Sequence, residues 1–133
     1  MSDDLRFAAE KARARAYAPY SKFLVGAGLR GESGAVFTGC NVENISFGLT
    51  SCAERSCVVQ AIGQGERSFH ALAIVTDTDE PVVPCGARRQ VLAEFAPELK
   101  ITSWTVTGKK QDFSLSRLLP TPNQGILQVP RGT

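Results

Sequence analysis

The sequence has no block of like charge, no apolar run approaching the ~20 residues needed to cross a bilayer, and too few cysteines for a dense disulfide framework. Each absence excludes a class of function. The formal net charge is only +2, so composition offers no electrostatic case for nucleic acid or a membrane surface, and a small, near-neutral partner is the expectation. The stretch Met1-Ser2-Asp3-Asp4 lacks the basic-then-apolar order of a secretion signal, which predicts a cytoplasmic location. In a reducing compartment the four cysteines are expected as thiols or metal ligands rather than disulfides. No internal repeat is found.

What remains is an ordinary globular composition, 43% hydrophobic and 21% charged over 133 residues, which predicts one domain spanning 1–133. Leu5, Ala8, Ala9, Ala12 and Ala16 fall on one face of a helix expected over 3–17, ended by Tyr17-Ala18-Pro19-Tyr20-Ser21. Residues 23–30 and 35–40 are short apolar runs joined by Gly31-Glu32-Ser33-Gly34 and predict a β-hairpin. Thr50 and Ser51 are candidate N-caps for a helix from Cys52, apolar nearly all round and so expected to be buried, that ends at Gly63 and Gly65. A strand over 71–76, a helix over 86–95, a strand over 101–107 and a short segment over 113–119 follow. This order predicts an α/β sandwich with helices covering a mixed sheet. The stretch 120–133 carries three prolines and is expected to be a flexible or subunit-contacting tail.

Two cysteines stand at expected helix starts, Cys52 in Cys52-Ala53-Glu54-Arg55 and Cys85 in Pro84-Cys85-Gly86-Ala87-Arg88-Arg89-Gln90. Backbone N–H groups and the positive end of the helix dipole favour a thiolate there, the form that binds metal. Glu54 is close enough to act at the same point without being a ligand. Singly, each half is weak, because a buried cysteine is usually a small hydrophobe.

Together with Tyr17-Ala18-Pro19-Tyr20-Ser21-Lys22-Phe23, Gly39-Cys40-Asn41-Val42-Glu43-Asn44 and Arg89-Gln90-Val91-Leu92, these stretches resemble the cytidine deaminase family, in its small homotetrameric branch with three thiolate zinc ligands. The zinc deaminase signature is itself a documented pattern. The resemblance implies an α/β/α sandwich with a mixed five-stranded sheet and a hydrolase acting on cytidine or a related nucleoside. It implies Glu54 as the proton shuttle and Cys52 and Cys85 as zinc ligands, with Arg55 pairing with the thiolates. It also implies Phe23, Asn41, Glu43 and Ala53 as substrate-binding residues. Without the resemblance, Asn41 and Glu43 read as an ordinary turn. Phe47 matches a position near the pocket, with core packing the alternative, and Cys40, Cys57 and His70 are expected to be core or surface residues rather than ligands.

One position departs. Where the resemblance implies a third cysteine, three residues after Cys85, the chain has Arg88. A guanidinium has no lone pair for zinc and is always protonated. Three thiolates, zinc and the arginine matching Arg55 are neutral together, whereas zinc beside two thiolates, Arg55 and Arg88 leaves the site strongly positive. Zinc is therefore expected to bind weakly or not at all. Arginine in the first turn of a helix also opposes its dipole, so Arg88 is expected to seek anions, with Cys52, Cys85 and Glu54 as candidates. The alternative is that Arg88 turns to solvent and leaves a damaged two-cysteine site. A second departure is Leu118-Leu119-Pro120-Thr121-Pro122-Asn123, which lacks the aromatic that the resemblance implies for closing a neighbour's base pocket.

Three functions follow: a nucleoside deaminase with compromised zinc; a zinc-free enzyme in which Glu54 and Arg88 do different chemistry on a nucleoside-like ligand; and a catalytically silent nucleoside-binding protein.

Overall fold

The computed structural model describes residues 2–84 and 86–120. The expected tail beyond 120, and Cys85, lie outside the described residues.

The chain begins with α1 (Ser2–Arg13), which buries Leu5, Ala9 and Ala12 along one stripe at the i, i+4, i+7 spacing of an amphipathic helix. It ends earlier than the apolar pattern suggests. Tyr17 gives its N–H to the Asn41 carbonyl at 2.9 Å and accepts the Glu43 N–H at 2.8 Å, so its backbone is taken by a bridge rather than by a fifth helical turn.

The hairpin forms as expected, from β1 (Val25–Gly31) and β2 (Val36–Cys40), with Gly28 opposite Thr38. Then come a short 3-10 turn at Phe47–Leu49, α2 (Ala53–Gly63) and β3 (Phe69–Thr76). α3 (Gly86–Phe95) carries the chain over to β4 (Lys100–Thr105), and β5 (Lys110–Ser114) and the short α4 (Leu115–Leu118) complete the described fold. The sheet order is β2-β1-β3-β4-β5. Among the described strands only β3 and β4 pair in parallel, which is why a crossover such as α3 must connect them; the other neighbours are antiparallel. This is the mixed five-stranded sheet flanked by helices.

Alternation along the strands sorts side chains into two layers. Val25, Ala27 and Leu29 of β1, with Leu72 and Ile74 of β3, face α2 and α3, whereas Ala73, Val75 and Trp104 pack against Leu5 and Ala9 of α1. Glycines let both helices approach. A β-carbon on Gly26 would stand 2.0 Å from the Ala9 carbonyl oxygen, and one on Gly39 would stand 2.5 Å from the Ala53 carbonyl oxygen. Any larger residue would hold α1 or α2 away from the sheet.

Two local expectations are corrected. α2 is not buried all round: Ala53, Glu54, Cys57, Val58 and Ala61 form its inner face, while Val59 is 70% exposed. Its N-cap is Cys52, not Thr50 or Ser51, because Ser51 is held in a bridge with Val42. Among the described residues no helix is long and apolar enough to cross a membrane.

Candidate functional site

The site is assembled where the start of α2, the first turn of α3 and the loops after β2 and before β1 come together. Close packing of α2 on Gly39 fixes its first turn, and Ser56 strengthens it by donating to the carbonyl oxygens of Cys52 and Cys40, at 3.0 and 3.2 Å. Cys52 is thereby held against the end of β2. Its thiol is buried, and burial followed by the neighbouring Glu54 charge pushes its pKa up. The Arg55 backbone N–H and the charges of Arg88 and Arg55 pull the other way without prevailing. The expectation that the helix start would favour the thiolate is therefore outweighed by desolvation in the unliganded chain.

Glu54 points inward from the first turn of α2 and is only 1% exposed. Burial raises its carboxyl pKa, opposed by the charge and hydrogen bond of Arg88. Arg88 Nη1 donates to Glu54 Oε2 at 3.4 Å, a long contact between groups 34 residues apart. Glu54 Oε1 is buried with no hydrogen-bond partner among the described residues. A buried carboxyl oxygen left unpaired is costly, and an incoming donor would relieve that cost.

Arg88 is thus turned towards the site rather than to solvent, its side chain 30% exposed. Its neighbour Arg89 clips the start of α3 in place, donating from Nε to the Pro84 carbonyl at 2.7 Å and from Nη1 to the Leu118 carbonyl at 3.2 Å. Among the described residues no group of three or more His, Cys, Asp or Glu side chains is placed to hold a metal ion.

The loop residues lie in a separate, tightly bonded strap. Asn41 Oδ1 accepts the Val25 N–H at 2.9 Å, and Nδ2 donates to the Phe23 carbonyl at 2.7 Å. Glu43 Oε1 accepts the N–H groups of Tyr20 and Ser21 at 3.1 Å each, and Oε2 accepts the Ser21 hydroxyl. The Ser21 hydroxyl, against the opposing effect of burial and helped by the backbone bonds of Ser21 and Tyr20, lowers the Glu43 pKa, so this carboxylate is held ionised. Lys22 turns the strap with a left-handed φ of 63°, uncommon for a residue with a side chain. Asn41 and Glu43 therefore anchor the loop after β2 to the segment 20–25 that leads into β1, rather than forming an ordinary turn. Each keeps spare hydrogen-bonding capacity.

The remaining expected residues are distributed less neatly. Phe23 is half-exposed beside the strap, available for packing on a ligand. The Ala53 side chain is fully buried in the core, so only its backbone can meet a ligand. Arg55 is exposed on α2, and Phe47 is exposed rather than core, with its ring edge-on to Tyr20 at 6.4 Å. Cys57 is a core thiol whose pKa burial pushes far up, and Cys40 is partly buried. His70 lies within β3 beside Glu32, at 3.5 Å, on a cleft of about 640 Å³ at the opposite end of the parallel pair from α3's first turn. Ser21 and Ser56 were not singled out from the sequence. Ser21 lies inside a quoted motif and could have been; Ser56 carries no signal beyond its place one turn after Cys52.

Residues 1–103 match the cytidine and deoxycytidylate deaminase zinc-binding region. A cytidine deaminase from Sporosarcina psychrophila is 47% identical over 112 residues, covering 84% of this chain and 82% of that protein. Among solved structures, cytidine deaminase from Burkholderia pseudomallei superposes with a TM-score of 0.87 at 46% identity, covering 90% of this chain and 97% of the other. Cytidine deaminase from Mycobacterium tuberculosis superposes with a TM-score of 0.78 at 42% identity, covering 90% and 94% respectively.

Proposed function

The chain belongs to the cytidine and deoxycytidylate deaminase family of hydrolases, and on that premise we propose that it removes the amino group of cytidine or a related nucleoside, with Glu54 as the proton shuttle and a compromised zinc site. The observation that carries this reading is the buried Glu54, whose Oε1 lacks a partner among the described residues at the start of α2.

The net reaction adds water across the ring C=N bond and expels ammonia. Glu54 takes a proton from water and delivers it to the ring nitrogen, then takes the proton of the adduct's new hydroxyl as the carbonyl forms and passes it to the departing amine, so the carboxyl ends each cycle as it began. Burial suits it to this work, because it lifts the carboxyl towards the pH at which both forms are populated. Phe23 packs on the nucleoside, Asn41 and Glu43 use their spare valences on the ribose hydroxyls, and the Ala53 backbone meets the base.

The matched region is described as zinc-binding, yet among the described residues the donors facing the site do not fit that ion. Cys52 offers one sulfur and Glu54 one carboxylate, while the third converging group, Arg88, has no lone pair. Weak or absent zinc is accordingly part of the proposal, and Arg88 standing in place of a third ligand is its cause. The same contact favours a second reading, zinc-free chemistry on a nucleoside-like ligand with Arg88 steadying developing negative charge.

The exposed Ile45, Phe47, Leu49 and Val59 support burial against further copies in a homotetramer. One domain across the chain and a cytoplasmic setting complete the proposal.

The test is to incubate purified protein with cytidine and follow its ultraviolet loss and uridine formation, alongside Glu54→Gln. Turnover should fall by roughly 10²–10⁴-fold in the variant while its circular dichroism stays native. Thermal stabilisation by cytidine without any product would replace the hydrolase reading with the silent binding protein.

A further inference from the structure

A buried carboxylate needs a compensating positive charge or must stay protonated, and in a metal site the ion supplies that charge. Here the positive charge is already covalently present. Arg88 extends from the first turn of α3 to Glu54, across 34 residues of sequence, and meets the one carboxyl oxygen of the pair that has a partner. Cys52 lies two residues before Glu54, buried in the same pocket. The start of α3 is held in place by Arg89, so Arg88 does not need to move a loop to reach inward.

We infer that Arg88 is the resident cation of this site, that its guanidinium and zinc are mutually exclusive there, and that the single substitution Arg88→Cys turns the chain into a zinc protein. The inference builds on the hydrolase reading only in taking the Glu54 pocket as the active site. Two effects act in the same direction. A divalent ion beside Cys52 would sit against a permanent cation in a partly desolvated pocket, where like charges repel far more than in water. Removing that cation and supplying a sulfur also provides a thiol ligand from the first turn of α3, at the sequence position three after Cys85.

Arg88→Ala separates the effects, since it removes the repulsion without supplying the ligand. Arg88→Lys retains the charge and should behave like the native chain. The order of zinc affinity should be Arg88→Cys, then Arg88→Ala, then the native chain together with Arg88→Lys.

The experiment is zinc content by elemental analysis of the native chain and the three variants, expressed with added zinc, together with competition titrations against a chromogenic zinc chelator. Native protein should carry well under about one-tenth zinc per chain and Arg88→Cys about one, with an affinity gain of at least about a thousandfold. Stoichiometric zinc in the native chain overturns the inference. So does an Arg88→Cys protein that melts cooperatively yet binds zinc no better than native. Should that variant fail to fold, equal zinc affinity in Arg88→Ala and the native chain overturns it, and a clear gain in Arg88→Ala supports it. Zinc uptake in Arg88→Cys without uridine formation sinks the hydrolase reading alone and leaves this one standing.

Discussion

Gly39 offers a direct way to ask whether the position of α2 sets the chemistry. A β-carbon there would lie 2.5 Å from the Ala53 carbonyl oxygen, 2.8 Å from the Cys57 nitrogen and 2.9 Å from the Ser56 β-carbon. Two of the three are helix backbone, so no side chain can turn aside, and α2 must retreat from β2 by something near 1 Å, the difference from ordinary contact at roughly 3.5 Å. Overpacking of this kind costs about 1–3 kcal/mol, which for a chain of this size lowers the melting temperature by roughly 3–15 °C. Glu54 follows Ala53, so the retreat also carries it away from an Arg88 contact that is already 3.4 Å long. A misplacement of about 1 Å in a reacting group costs on the order of 10²-fold in rate. Gly39→Ala should therefore lose both melting temperature and turnover per folded molecule. The matched control is Gly26→Ala, whose β-carbon would meet the Ala9 oxygen at 2.0 Å and the Arg13 nitrogen at 2.5 Å on the opposite face of the sheet. It should destabilise at least as much while sparing the rate. Melts by circular dichroism, and uridine formation assayed well below both melting points, decide the matter. A Gly39→Ala protein with native melting and native turnover would refute the reasoning, as would equal loss of rate in the two variants.

Other expectations follow from the strap and the core thiol. Glu43 is held below the ordinary carboxylate range by the Ser21 hydroxyl, so it stabilises the fold fully above its unfolded pKa, and that contribution fades as pH falls through its lower folded value. The urea midpoint of Glu43→Gln should lie below native near pH 7, and the gap should close near pH 3; a gap of constant size would contradict this. Cys57, which burial holds as a thiol, should resist iodoacetamide in the native protein at about pH 8 and be alkylated once denaturant is added. Peptide mass spectrometry showing native Cys57 labelled as fast as partly buried Cys40 would count against the packing described.

The sequence carries the two-layer fold in the side chains that alternate along β1 and β3 and in the stripe of α1, because burial selects residue type at each of those positions. β5 escaped notice as a strand for the opposite reason. Its Lys110-Gln111-Asp112 run is a polar edge with nothing apolar to alternate, held by its ladder to β4 and by polar contacts of Asp112 with Thr102 and of Lys110 with the Trp104 ring. An anionic partner for Arg88 was expected from its place in the first turn of a helix, and Glu54 was one of the candidates. Which way its side chain turns depends on Glu54, placed by the packing of another helix against a glycine, and local sequence does not encode that. The bonds that Asn41 and Glu43 accept were equally invisible, since they depend on Val25 and Ser21 arriving from another segment.

Because α3 connects β3 to β4, the parallel pair among the described strands, Arg88 should come to rest opposite Glu54 only once β4 has docked beside β3. Parallel pairing across a long connection is closed late in folding, as it must first overcome the entropy of the connecting chain. The charge pair is therefore absent from the barrier and present only beyond it. Loosening it with Arg88→Ala should steepen escape from the native state and leave the refolding arm of a chevron where it was.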